Sequence, residues 1–194
     1  HENAWQLLIA TILSAQCTDA RVNTVTGDLF RKYPGVEAFA SADLKELEKD
    51  IYSTGFYHNK AKNIIACCKD LMEKFGGEVP STLEEMRTLA GVGQKTANVV
   101  YAVWFGGDAI AVDTHVFRVS NRLGLAEGKT PAKVEDGLRA AIPKELWSKA
   151  HHYLIYHGRR ICHSQRPDCA GCTLKDDCKY FKGKYEPRGE RRAA

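Results

Sequence analysis

Three sets of residues in this 194-residue chain have the types and spacing to do chemistry. The densest is Cys162, Cys169, Cys172 and Cys178, separated by six, two and five residues. Four thiolates this close can hold a structural zinc ion or an iron–sulfur cluster, since both accept four cysteine ligands. Zinc knuckles come as paired Cys-x2-Cys units; only one such unit is present, so the asymmetric spacing leans away from zinc. The second set is Gly91-Val92-Gly93-Gln94-Lys95-Thr96-Ala97. Two glycines about one apolar residue allow a turn too tight for Cβ atoms, with dihedrals other residues avoid, and Val92 can point inward. A helix opening at Gly93 or Gln94 turns its free N–H groups outward, a site suited to a DNA phosphate. Lys95 falls in the first turn of that helix, where the positive dipole end disfavours an ammonium. An amine held partly neutral is what a lysine nucleophile needs. The third is Asp113, which follows Ala109-Ile110-Ala111-Val112 and precedes Thr114, the place of a helix N-cap. Plainer roles stand beside each: a helix connector, a solvated lysine, a cap.

Helices must position these residues. Trp5, Leu8, Ile9, Ile12 and Leu13 form one apolar face at helical spacing, and Val22, Val25, Leu29 and Phe30 form another behind Asp19 as a candidate cap. Tyr33-Pro34-Gly35 breaks the chain, and Ser41 or Asp43 starts a short helix holding Leu44 and Leu47. Residues 60–75 return to helical spacing until Gly76-Gly77. A short helix through Leu83 and Met86 leads into the Gly-Val-Gly turn, and further helices are expected at 94–105, 114–123, 131–141 and 144–161. Only residues 109–112 have a β-like run. The pattern is that of an all-α protein of short helices, without internal repeats.

Composition narrows the class. Apolar residues make up 44% and charged residues 27%, enough for a core and a hydrated surface. No apolar run approaches the roughly 20 residues that span a bilayer, and no secretory leader is evident. The first residue is His1, and residues 5–13 read as mid-helix, so the chain is expected to start inside a longer one. Seven cysteines, an odd number, argue for a reducing compartment rather than a disulfide framework. The net charge of +4 is unevenly spread: ten Lys/Arg against five Asp/Glu fall in the last 44 residues. A basic end on a near-neutral body suits a polyanion partner.

The hairpin residues, followed by Ala111-Val112-Asp113-Thr114-His115 with the aspartate 18 residues after Lys95, resemble the helix-hairpin-helix, Gly/Pro…Asp superfamily of DNA glycosylases. The likeness is greatest to its endonuclease III family. It extends to Leu8-Ile9-Ala10-Thr11-Ile12-Leu13-Ser14-Ala15-Gln16, to Thr54-Gly55-Phe56-Tyr57-His58-Asn59-Lys60-Ala61 and to the four cysteines, leaving out only the tail from about Lys182. One departure is Ala90, where the family usually has proline; a looser approach to the hairpin is expected.

The resemblance implies two helical lobes with a DNA-binding cleft between them. One is a six-helix barrel over residues 5–107 with the helix-hairpin-helix at 89–100. The other covers 108–194, carries a [4Fe-4S] cluster on a loop at 162–178, and is normally completed by residues upstream of 1. By the same resemblance Lys95 is the nucleophile, Asp113 the essential carboxylate, and Gly91, Val92, Gly93 and Gln94 grip DNA. Gln16 fills the gap left by the extruded nucleotide, and Phe56 holds the place of an apolar wedge, with core packing as its alternative. Ser14 and His115 are lesser candidates; Cys17, Cys67 and Cys68 read as core. The cluster is a scaffold that sets Arg159, Arg160, Arg166 and Lys175 near one surface. The implied function is a bifunctional DNA glycosylase and abasic-site lyase, a cytoplasmic, nucleoid-associated bacterial monomer acting on oxidised pyrimidines in double-stranded DNA. Relatives that excise mispaired adenine or thymine lack the lysine, and those acting on oxidised guanine usually lack the cysteines. Rival readings are another base specificity, a non-catalytic DNA-binding module, and a zinc-structured nucleic-acid binder.

Overall fold

The computed structural model describes residues 2–185, and every described regular element is a helix or a 3-10 turn. The polar tail beyond residue 185 lies outside the described residues. The chain divides into two compact units, 1–107 and 108–194.

In the first unit, α1 (Ala4–Leu13) is capped by Asn3, whose side chain accepts from Gln6 N at 3.0 Å. It ends at Leu13, so Gln16 stands three residues beyond the helix. Thr18, not Asp19, caps α2 (Asp19–Lys32). A five-residue helix that the periodicity did not reveal, α3 (Val36–Ala40), follows Pro34-Gly35. It forms because Phe39 in its second half is fully buried and stacks on Tyr33 at 4.9 Å. Asp43 caps α4 (Leu44–Asp50), and a 3-10 turn, Tyr52–Thr54, leads into α5 (Tyr57–Phe75).

Helix α5 is the axis of this unit. Ile64, Cys67, Cys68 and Leu71 face a core that also takes Leu8, Leu13, Leu47 and Met86. Burial of a branched aliphatic side chain is worth about 1.5–3 kcal/mol, so this stripe holds α5 firmly. The single-turn helix α6 (Leu83–Met86) and α7 (Gln94–Trp104) flank the Gly-Val-Gly turn.

The second unit opens with Ala109, Ile110, Ala111 and Val112, all buried but in no strand. The β-like alternation reflects burial without a partner strand; the Ala111 carbonyl bonds instead to the His151 ring at 2.8 Å. Helix α8 (Thr114–Leu123) packs on α10 (Trp147–Arg160), with α9 (Pro131–Ala141) against α8. The predicted helix at 144–161 begins as a 3-10 turn, Lys144–Leu146, before α10. The α8–α10 approach is close: a Cβ on Gly158 would come within 3.0 Å of the His115 Cβ. A 3-10 turn, Lys175–Asp177, and α11 (Lys179–Tyr185) end the described chain.

Candidate active site and cysteine centre

The hairpin is built from a buried anchor and a strained glycine. Val92 is buried with Leu89 and Met86 in the first core, as a residue pinning two helices must be. Gly91 has φ +73°, and a Cβ there would lie 2.7 Å from the Asn63 Cβ on α5, so only glycine fits. Gly93 differs from expectation: its φ is −87° and its Cβ direction is open. Neither backbone strain nor packing requires glycine there. Ala90 is not loosely held, because its N–H donates to Asp70 Oδ2 of α5 at 3.0 Å. The Lys74 ammonium, partly opposed by burial, and this backbone bond hold the Asp70 carboxyl below its ordinary value.

Helix α7 starts at Gln94 with Gly93 as an N-cap that offers no side-chain acceptor, which leaves the first-turn N–H groups without a side-chain cap. Lys95 is the second helical residue and is exposed. The Gln94 side chain donates to Asn98 at 3.0 Å along the same helix.

Two more candidates project from loops of this unit. Gln16 is exposed at φ +53°, and Phe56 is 63% exposed at φ +49°. That exposure removes core packing as the role of Phe56. With Arg166, these are the non-glycine residues at positive φ among the described residues, and such strain gathers at functional sites. Ser14 is spent locally, its hydroxyl donating to Thr11 O at 2.8 Å.

In the second unit Asp113 is the N-cap of α8, with Oδ1 accepting from Val116 N at 2.8 Å. It is half-buried, and its other carboxylate oxygen has no hydrogen-bond partner among the described residues. A cap that uses one oxygen leaves the second for another task. His115 is engaged at 3.1 Å with Arg118, a structural role. Lys95 belongs to the first unit and Asp113 to the second.

All four cysteines of the spaced set line one cavity, together with Arg122, His157, Pro167 and Tyr180. Burial and then the neighbouring thiolates push the Cys169 thiol up, so gathering four thiolates calls for positive charge among them. Two arginines on α8 organise the loop. Arg118 donates to Cys162 O at 3.1 Å and Gly158 O at 3.0 Å. Arg122 donates to His163 O at 2.6 Å, Ser164 O at 2.9 Å and Cys162 Sγ at 3.3 Å. Of the surface cations, Arg159, Arg160 and Arg166 are exposed and Lys175 is half-buried. Cys67 and Cys68 are core residues, and burial pushes the Cys67 thiol up to about 12.

Sequence reasoning missed Lys60, Asn63 and Asp70 on α5 and Arg118 and Arg122 on α8. Signals existed: Lys60 is in register with Ile64 and Leu71 on the apolar face of α5, and the two arginines are four apart on one helix.

The family model described as HhH-GPD superfamily base excision DNA repair protein matches residues 9–144. The chain belongs to this superfamily of helix-hairpin-helix repair proteins. Endonuclease III of Bacillus subtilis is 52% identical over 180 residues, covering 92% of this chain and 82% of that protein. Endonuclease III of Synechocystis sp. is 51% identical over 174 residues, covering 89% and 80%. A solved structure described as a trapped endonuclease III–DNA covalent intermediate superposes with a TM-score of 0.90 at 50% identity, covering 94% of this chain and 86% of that one. Within the superfamily the chain is a member of the endonuclease III family, DNA glycosylases with lyase activity. Among the described residues no helix is long and apolar enough to cross a membrane.

Proposed function

We propose that the chain removes oxidised pyrimidines from double-stranded DNA and cleaves the resulting abasic site, with Lys95 as nucleophile and Asp113 as the essential carboxylate. The observation that carries this reading is an exposed amine in the first turn of the helix that the Gly-Val-Gly hairpin opens. The relative trapped as a covalent intermediate with DNA supports a nucleophile in the family.

The chemistry follows from charge. As the N-glycosidic bond lengthens, the sugar becomes cationic, and a carboxylate oxygen free of the helix cap stabilises it. The Lys95 amine, through its nitrogen lone pair, then bonds to the anomeric carbon as the base leaves with the bonding electrons. One proton of the nitrogen then passes to the ring oxygen as its bond to the anomeric carbon breaks, which opens the sugar and leaves a protonated Schiff base. That cation acidifies the neighbouring C–H; loss of this proton expels the 3′ phosphate and cuts the strand.

The uncapped start of α7 with Gly91, Val92, Gly93 and Gln94 grips a phosphate through backbone N–H groups. The open space at Gly93 favours a close backbone approach. Gln16 and Phe56 enter the duplex when the damaged nucleotide leaves it, at a cost of a few kcal/mol. Cys162, Cys169, Cys172 and Cys178 hold a [4Fe-4S] cluster; four thiols around one cavity, with arginine donors beside them, fit that group. When bound it supplies a tie that shapes the loop, and no step of the reaction passes through it. The partner is double-stranded DNA with a damaged base or abasic site, met by a monomer in the bacterial cytoplasm at the nucleoid.

Borohydride trapping on duplex DNA with one thymine glycol tests the reading. Wild type should give a covalent protein–DNA adduct and Lys95→Ala none, while both bind the DNA. An adduct of equal yield from Lys95→Ala would remove Lys95 from the mechanism.

A further inference from the structure

The mechanism above leaves a buried ion unused. Lys60, in the first turn of α5, is 5% exposed. Its Nζ donates to Leu13 O and to Thr54 O, each at 2.8 Å, and its backbone N–H donates to Phe56 O at 3.1 Å. Among the described residues no carboxylate pairs with it. Burying an ammonium is costly, and carbonyls alone compensate it less fully than a carboxylate does. Burial pushes Lys60 down from its ordinary 10.5, with the Cys17 charge acting the other way. The end of α1, where carbonyl dipoles converge, favours the cation.

The two carbonyls it holds are those at which the chain leaves regular structure. Leu13 is the last residue of α1, and Gln16 follows three residues on at φ +53°. Thr54 is the last residue of the 3-10 turn, and Phe56 follows two residues on at φ +49°. Remote in sequence, the two loops meet at one ammonium. A methionine would fill the same volume without the desolvation cost, so packing alone does not account for a lysine here.

We propose that Lys60 is a positioning residue for duplex opening: by binding both carbonyls it locks the Gln16 and Phe56 loops to each other, so that the two side chains enter the duplex as a unit. This rests on the roles given to Gln16 and Phe56 under the proposed function. Lys60 touches neither DNA nor the reacting atoms; it acts through the loops.

The test uses the full chain with its cysteine centre intact. Lys60→Met keeps the methylene stem and removes the donors; Lys60→Arg keeps a buried cation with several. Two single-turnover rates are compared: excision of thymine glycol from a duplex, and cleavage at an abasic site in single-stranded DNA, where no gap needs filling. Misplacing positioned groups by an ångström costs about 100-fold, so Lys60→Met should lose that much on the duplex and little on the single strand, with Lys60→Arg recovering most of it. In a Gln16→Ala/Phe56→Ala background, adding Lys60→Met should cost nothing further on the duplex, since the groups it positions are gone. Equal losses on both substrates, or a full further loss in that background, would overturn the proposal in favour of a general structural role. If Lys60→Met does not fold, Lys60→Gln replaces it; failure of both to fold overturns the proposal in the same way. Should Gln16→Ala/Phe56→Ala excise from duplex DNA at the wild-type rate, the fault lies in the roles given to those residues, and the inference falls with them.

Discussion

Alanine placed at Gly91 and at Gly93 should have different consequences, although the two glycines flank the same valine. At Gly91 the backbone sits at φ +73°, where a Cβ meets its own carbonyl at a cost of about 1–2 kcal/mol. The same Cβ would stand 2.7 Å from the Asn63 Cβ, which the α5 backbone fixes, and 2.9 Å from its Cγ. Overpacking of this kind adds roughly 1–3 kcal/mol, so Gly91→Ala should destabilise the first unit by about 2–5 kcal/mol. With a urea slope of about 1–3 kcal/mol/M, the unfolding midpoint read by tryptophan fluorescence should fall by about 0.7 M or more. Asn63→Gly in the same chain should return the steric part and leave the dihedral part. Gly93→Ala meets neither obstacle; the gain of about 0.4–1 kcal/mol from restricting the unfolded chain is offset by alanine's poorer fit at an N-cap, so stability should change by less than about 1 kcal/mol. It should still weaken binding to duplex DNA with an abasic-site analogue, because its Cβ occupies the space a phosphate would use. A Gly91→Ala midpoint within error of wild type would refute the packing argument, and full DNA affinity in Gly93→Ala would refute the phosphate grip.

Asp113→Asn keeps a side chain that caps helices as well as aspartate does, so stability should change by less than about 0.5 kcal/mol. If Asp113 acts as proposed, excision should nevertheless fall by about 100-fold or more in a single-turnover assay, since a neutral amide replaces the carboxylate; normal excision would leave Asp113 only its cap. Asp70→Ala leaves the Ala90 N–H without its acceptor, a loss of about 1–3 kcal/mol seen by urea unfolding near neutral pH. Because the Asp70 carboxyl is held below 3.8, its contribution is complete above that value and fades as pH falls through the lowered pKa, so the two chains should converge only at strongly acid pH. Arg122→Met should lower iron content per chain and loosen the cysteine loop, read as faster proteolysis between Cys162 and Cys169, before it alters strand cleavage by the loaded fraction.

Much of this protein was legible because local rules and tertiary packing agree. Helices α8 and α9 begin and end where caps and periodicity put them, since Asp113 and Thr130 are strong N-caps and Val116, Val119, Val134 and Leu138 repeat at helical spacing. Helix α3 was not legible: five residues hold too little periodicity, and it exists because Phe39 completes an aromatic cluster with Trp5, Phe30 and Tyr33 from other elements. The run at 109–112 looked like a strand because burial on all sides enriches the same residues whether or not a neighbouring strand exists. At the proposed site, the candidate side chains stand out by type and spacing, whereas the partners of their supports do not. Asp70 reaches Ala90 across 20 residues and Lys60 reaches Leu13 across 47, and no local pattern encodes such contacts.

Those supports share one physical device. Among the described residues, the non-glycine ones at positive φ, Gln16, Phe56 and Arg166, each follow by two or three positions a carbonyl held by a helix-borne cation. Lys60 holds Leu13 and Thr54, and Arg122 holds His163 and Ser164 just ahead of Arg166. A chain turning into a left-handed residue leaves regular hydrogen bonding, so its preceding carbonyls lose partners while the dihedral itself costs about 1–3 kcal/mol. A hydrogen bond from a charged donor contributes about 1.5–3 kcal/mol, enough to offset that cost when one cation serves two carbonyls. Neutral donors could satisfy the carbonyls singly, but a single ammonium or guanidinium also fixes their mutual position, which two independent bonds do not. The cations are therefore best understood through the geometry they impose on exposed, strained residues, and their removal should disturb that geometry before it disturbs the fold.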